Sequence, residues 1–141
     1  MEFVRNLHGI ALDYADFLVT FPWDVYSTIT FREKRVDSIY WSKKIFDVLT
    51  KFDATRAFVA CENHQLDGIH FHLLSRHLPC PSTLEPMWKY CFKAFGRSKI
   101  EFLGEKGQSE LSVARYCAKY VVKGNRFEFM GDKSAWNFDK N

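Results

Sequence analysis

Between Val25 and Leu103 the side-chain pattern switches between a period of two and a period of about 3.6 residues, in the order strand, helix, strand, strand, helix, strand. In Val25–Arg32 the residues Val25, Ser27, Ile29 and Phe31 alternate with Tyr26, Thr28, Thr30 and Arg32, a β-branched run that predicts a strand. From Asp37 to Phe52, Ile45, Val48, Leu49 and Phe52 recur at helical spacing, with Asp37 or Ser38 available as N-cap. Arg56–Glu62 and Gly68–Ser75 read as two short strands of a hairpin whose polar connection contains Asp67-Gly68. After Pro79 and Pro81, Ser82 and Glu85 form a capping-box pattern. It precedes a second helix built on Leu84, Met87, Trp88, Cys91, Phe92 and Phe95. Lys99–Leu103 completes the set as a strand.

That order is the split βαβ pattern of α+β folds. It predicts a ferredoxin-like or RRM-like antiparallel sheet of four to five strands with two helices on one face and the other face free. Gln108–Lys123 predicts a third helix, stopped by Gly124-Asn125, and Phe127–Met130 a further strand. A short helix near Ile10–Val19 is expected in the leader before Pro22. With 141 residues, the expectation is one domain over 1–141, in which 1–24 is an N-terminal leader and 125–141 a C-terminal strand and tail.

Charge and cysteine content narrow the function. Twenty Lys and Arg against seventeen Asp and Glu leave +3, so binding of a polyanion by bulk charge is excluded and any such contact must be local. Between Lys89 and Arg126, nine basic residues face only Glu101, Glu105 and Glu110. Cys61, Cys80, Cys91 and Cys117 show no Cys-x-x-Cys spacing and read as small buried hydrophobes. No run approaches the roughly 18 apolar residues of a membrane span, so a reducing, cytoplasmic setting without membrane contact is expected. No Gly-x-x-x-x-Gly-Lys-Ser/Thr phosphate loop occurs, so any motor activity belongs to another polypeptide.

In Gly68-Ile-His70-Phe-His72-Leu-Leu74 two histidines two residues apart on a strand project to one side, while Ile69, Phe71 and Leu73 project to the other. A hairpin centred near Leu66 sets Glu62 opposite His70 on the same face. A carboxylate and two imidazoles form a three-ligand set suited to Mn²⁺ or Mg²⁺ acting on a phosphate, and also acceptable to Zn²⁺. A bare His-x-His is equally what a solvated strand surface presents; Glu62 is what favours the metal reading. His64 and His77 read as loop histidines, and His8 stands alone.

Further along, Tyr116, Lys119, Tyr120 and Lys123 share one helical face at i, i+3, i+4 and i+7, with Leu111, Ala114, Ala118, Val121 and Val122 on the opposite side. Such a helix docks by its apolar stripe and presents two phenols and two ammonium groups. A phenol whose ionised form is favoured by a nearby cation is a nucleophile, and ammonium groups beside it neutralise an approaching phosphate. An amphipathic helix with packed tyrosines and solvated lysines has the same pattern, so the chemistry rests on its pairing with the histidine site.

Taken together, these motifs resemble the HUH superfamily of rolling-circle replication initiators. Tyr26-Ser-Thr-Ile-Thr-Phe31 resembles the first motif, Glu62 with Ile69-His-Phe-His72-Leu-Leu the second, and Tyr116-Cys-Ala-Lys-Tyr120-Val-Val-Lys123 the third. The pair of tyrosines four apart is most similar to the gene A-type replication proteins of small single-stranded DNA phages. Tyr116-x-x-Lys119 and Tyr120-x-x-Lys123-Gly124 each also fit the single-tyrosine initiators, so either tyrosine can be the first nucleophile.

The resemblance implies a site-specific single-stranded DNA endonuclease and strand transferase. In it, Glu62, His70 and His72 hold Mn²⁺ or Mg²⁺, Tyr116 or Tyr120 attacks an origin phosphate, hairpin origins included, and Lys119 and Lys123 assist. DNA would be gripped by Arg115 and Lys99, with Tyr26 or Phe58 as exposed sheet aromatics for base stacking. A separate helicase and polymerase, of host or virus, are the implied partners. Three alternatives remain. One is a single-tyrosine transposase of the same superfamily, another a non-catalytic RRM-like nucleic-acid-binding domain. The third, a histidine-triad nucleotide hydrolase, is disfavoured, because its third histidine would fall at Leu74.

Overall fold

Five antiparallel strands form one sheet in the order β4-β1-β3-β2-β5 in a computed structural model that describes residues 15–16, 18–64, 68–103, 114–115 and 127–131. The elements are β1 (Val25–Thr30), α1 (Ser38–Thr50), β2 (Ala54–His64), β3 (Gly68–His77), α2 (Glu85–Ala94), β4 (Ser98–Phe102) and β5 (Phe127–Gly131). The fold is α+β and ferredoxin-like, as the element order predicts. The strand that carries the two histidines lies at its centre, paired to β1 on one side and β2 on the other.

Local chemistry explains the boundaries. The Asp37 side chain accepts the Tyr40 amide at 3.0 Å and starts α1. The second helix departs from expectation: its N-cap is Leu84, with no side-chain cap. Ser82 stands two residues too early to form the capping box with Glu85, and Pro86, with its φ already helical, sets the first turn instead. Gly68 opens β3 at φ 82°, where a Cβ would run into the Arg35 carbonyl. That carbonyl accepts the Ile69 amide at 2.9 Å and ties the incoming strand to the loop after β1.

One sheet face packs on the helices. Val25, Ile29, Val59, Cys61, Phe71 and Leu73 meet Ile45, Val48 and Leu49 of α1 and Met87 and Cys91 of α2. Each fully buried side chain of this size contributes roughly 1.5–3 kcal/mol.

The opposite face corrects the sequence reading, which left it free. Tyr26, Phe58, Ala60 and Leu74 form a second buried cluster there with Ala15, Leu18, Phe21 and Trp23 of the leader and with Ala114. The reason lies in β2: Ala57-Phe-Val-Ala-Cys61 is apolar at every position, so its even-numbered side chains need cover as much as the odd ones. Arg56 holds that cover down. Its guanidinium lies 5.0 Å from the Phe21 ring and 4.9 Å from the Trp23 ring and donates to the Pro22 carbonyl. Residues 15, 16 and 18 are helical, in keeping with the expected leader helix. Among the described residues, no helix is long and apolar enough to cross a membrane.

Three single-residue expectations also change. Cys80 is exposed, whereas Cys61 and Cys91 are buried; Cys117 lies outside the described residues. His64 closes β2 opposite Gly68 rather than lying in the loop. His77 is the last residue of β3 and is fully buried, hydrogen-bonded to the Phe52 carbonyl at 2.7 Å and to Ser75 Oγ at 2.9 Å.

Candidate nucleic-acid site on the sheet face

The covered half of the second face gives way, toward one end of the sheet, to polar residues set by strand register. Across the sheet, one row runs Lys99, Thr28, His72, Ala60, Phe127, and the next contains Thr30, His70 and Glu62. Glu62 is therefore the direct partner of His70, as the loop length predicts, and a diagonal neighbour of His72. All of these positions alternate with the helix-facing set, so they share a face.

Side-chain contacts make this row a network. Nε2 of His72 lies 3.0 Å from Glu62 Oε1, its Nδ1 lies 3.4 Å from the Tyr26 hydroxyl, and Thr28 Oγ1 donates to the same hydroxyl at 3.5 Å. A carboxylate only accepts, so in a neutral imidazole Nε2 carries the proton that Glu62 accepts, and Nδ1 accepts from Tyr26. His72 is 4% exposed and Tyr26 8%. Hydrogen bonds between groups so removed from water fix ring orientation firmly.

Tyr26 and Phe58 are thereby corrected as base-stacking residues: Phe58 is fully buried and Tyr26 nearly so, because the leader lies over both. Tyr26 instead joins the histidine network. The register signal for this was present, since Tyr26 and Thr28 alternate onto the histidine face, but which strand lies beside β3 is a tertiary fact. Lys99 is exposed in edge strand β4, in line with His72, with Nζ 3.9 Å from the buried Glu101 carboxylate. Ala114 is buried and Arg115 exposed. Tyr116, Lys119, Tyr120 and Lys123 lie outside the described residues.

The donor set Glu62, His70 and His72 has the chemistry that a hard to borderline divalent ion takes. Their arrangement is closed on itself. Glu62 is engaged with His72, and among the described residues no three His, Cys, Asp or Glu side chains converge as a metal group. The residues fit such an ion by type and by face, with the Glu62–His72 contact opened to admit it.

No family model matches the chain, and no curated protein does. Its architecture is similar to the crystal structure of the hypothetical protein ORF119 from Sulfolobus islandicus rod-shaped virus 1, with a TM-score of 0.52 and 19% identity over 77% of this chain and 90% of that one. The likeness is one of fold. It extends the open-sheet α+β architecture to a second chain of different sequence and leaves the chemistry to the side chains.

Proposed function

We propose that this protein nicks and rejoins single-stranded DNA at a replication origin through a tyrosine nucleophile, as an initiator of rolling-circle replication. The observation that carries the reading is one of placement. Glu62, His70 and His72 occupy adjacent positions at the polar end of one sheet face, and Ala114, two residues before Tyr116 in the chain, is buried against that same face.

Glu62, His70 and His72 would hold a divalent ion, Mn²⁺ or Mg²⁺, which would supply polarisation of the scissile phosphate. Tyr116 or Tyr120, its phenol proton released to solvent, provides the oxygen that bonds to phosphorus as the bond to the 3′-oxygen breaks, giving a 5′-phosphotyrosyl link and a free 3′-OH. Lys119 or Lys123 delivers the proton that the leaving oxygen takes up, and Lys99 and Arg115 hold neighbouring phosphates. The Tyr26 hydroxyl keeps the His72 ring aligned throughout. Rejoining reverses the step, with a 3′-OH attacking the phosphotyrosine. Strand separation and synthesis fall to a separate helicase and polymerase, in the cytoplasm of the host cell.

The closed Glu62–His72 contact favours one competing reading, an RRM-like domain that binds the strand without cutting it. Incubation with end-labelled single-stranded DNA and Mn²⁺ distinguishes them. The initiator leaves a protein–DNA adduct that survives denaturation, and its absence on every origin-bearing strand would sink the nuclease reading.

A further inference from the structure

Away from the site, α2 exposes three aromatic residues, of which Tyr90 meets Phe52 while Trp88 and Phe92 stack on each other. Its buried residues are Met87 and Cys91, and Trp88 and Phe92, one turn apart, lie on the flank, 38% and 47% exposed. Their rings stack with centroids 5.3 Å apart and planes 25° from parallel. Trp88 is held at its indole edge, whereas Arg32 ties the Phe92 backbone and lies over the Phe92 ring. The Trp88 indole N–H donates to the Ser98 carbonyl at 2.8 Å, and Arg32 Nη2 donates to the Phe92 carbonyl at 2.6 Å, with its guanidinium 5.8 Å from the Phe92 ring. The result is an oriented, solvent-facing aromatic step.

Its surroundings are cationic. Arg32, Lys89, Lys93 and Arg97 are all exposed around the step; Lys89 pairs with Glu85 at 3.1 Å, whereas Lys93 and Arg97 have no ion pair among the described residues. An apolar protein partner gains little from such a rim, because burying it strips water from several charges. A strand of nucleic acid gains twice, from bases that stack on aromatic faces and from phosphates that follow the cations. The path to the sheet face is short. Ser98, which Trp88 holds, begins the edge strand β4, and the next residue, Lys99, stands in the row of Thr28 and His72.

We propose that Trp88 and Phe92 form a second binding step for single-stranded DNA, which stacks bases on the outer flank of α2 while the strand passes over the β4 edge at Lys99 to the histidine face. The choice of partner rests on the function proposed above; the surface itself rests on the stacked pair and its rim.

The test is fluorescence anisotropy of the full chain with a labelled oligothymidylate of about 20 nucleotides, at low salt and without divalent ions, so that binding is read apart from cleavage. Trp88→Ala is expected to weaken binding roughly tenfold. Phe92→Leu, which keeps apolar bulk but removes the ring face, and Arg97→Glu, which touches no core residue, are expected to weaken it as well. Unchanged affinity in Phe92→Leu and Arg97→Glu overturns the proposal, whether or not the adduct assay succeeds. Weakened affinity without any covalent adduct keeps the step and removes only the nuclease. If Trp88→Ala instead alters sedimentation of the protein and leaves DNA affinity intact, the surface is a protein interface and the proposal fails.

Discussion

Glu62 and His72 meet on the diagonal: Glu62 is registered opposite His70, yet its carboxylate lies 3.0 Å from the His72 Nε2. For that nitrogen to bind an ion it must give up its proton, which then moves to Nδ1 and is donated to the Tyr26 oxygen. Ion binding and the Glu62–His72 hydrogen bond are therefore competing uses of one atom.

From this competition, Glu62→Gln and His72→Ala are expected to weaken Mn²⁺ binding by more than about tenfold, read by calorimetric titration of the DNA-free protein. Tyr26→Phe keeps all three donors and is expected to cost less than either. Equal Mn²⁺ affinity in wild type and His72→Ala would remove His72 from the site.

If the proposed nicking activity holds, cleavage assays separate the roles of Tyr116 and Tyr120. Tyr116→Phe and Tyr120→Phe, assayed singly, are expected to divide the work, one abolishing the first adduct and the other the transfer that follows. Denaturing gels of adduct against time read both steps. Equal residual adduct in the two variants means that either phenol attacks first, and full activity in the double variant excludes both.

Arg56 offers a test of the layer over the sheet. Burial, reinforced by Arg76 and opposed by Asp24, lowers its guanidinium from the usual arginine value to about 10, so it remains charged at neutral pH while lying over two aromatic rings. Arg56→Ala removes both ring contacts and the bond to Pro22, and is expected to destabilise the fold by roughly 1–3 kcal/mol in urea titrations. Protease sensitivity N-terminal to Pro22 should rise with it. A loss below the error of the titration would mean that the leader is held by its apolar side chains alone.

His77 gives the fold a pH dependence. Burial pushes its imidazole below the usual 6.5, against the opposing pull of the Phe52 carbonyl and of Asp24 and Asp53. The unfolded chain therefore takes up a proton at a pH where the folded one does not. Stability is full above about pH 6.5 and falls as the pH drops below it, by at most about 1.4 kcal/mol per pH unit. Urea midpoints of wild type and His77→Gln between pH 7.5 and about 5 should converge on acidification. Parallel lines would show that His77 does not titrate in that window.

Much of the architecture is legible in residue pattern because periodicity is a local property. The switch from β-branched alternation in Val25–Thr30 to helical spacing after Asp37 needs no tertiary knowledge, and the length of the polar link after Glu62 sets its pairing with His70. What sequence pattern missed was the second layer. The clue was the unbroken apolar run Ala57–Cys61, which signals burial on both faces, but which segment supplies the cover depends on contacts between residues as distant as Phe21 and Phe58. Tyr26 shows the same limit. Its strand and face follow from alternation, whereas its neighbour, His72, is forty-six positions away.

The sheet order has a mechanical side. Both histidines ride on β3, laced into ladders on its two flanks, so their backbones cannot shift without breaking bonds to β1 and β2 together. Glu62 is differently placed: it stands opposite His70 on β2, and its carboxylate reaches His72 across the diagonal through a longer, more rotatable side chain. A guest at this end of the sheet thus meets two stiff nitrogens and one compliant carboxylate. Tolerance for ions of different radius would reside in a single side chain.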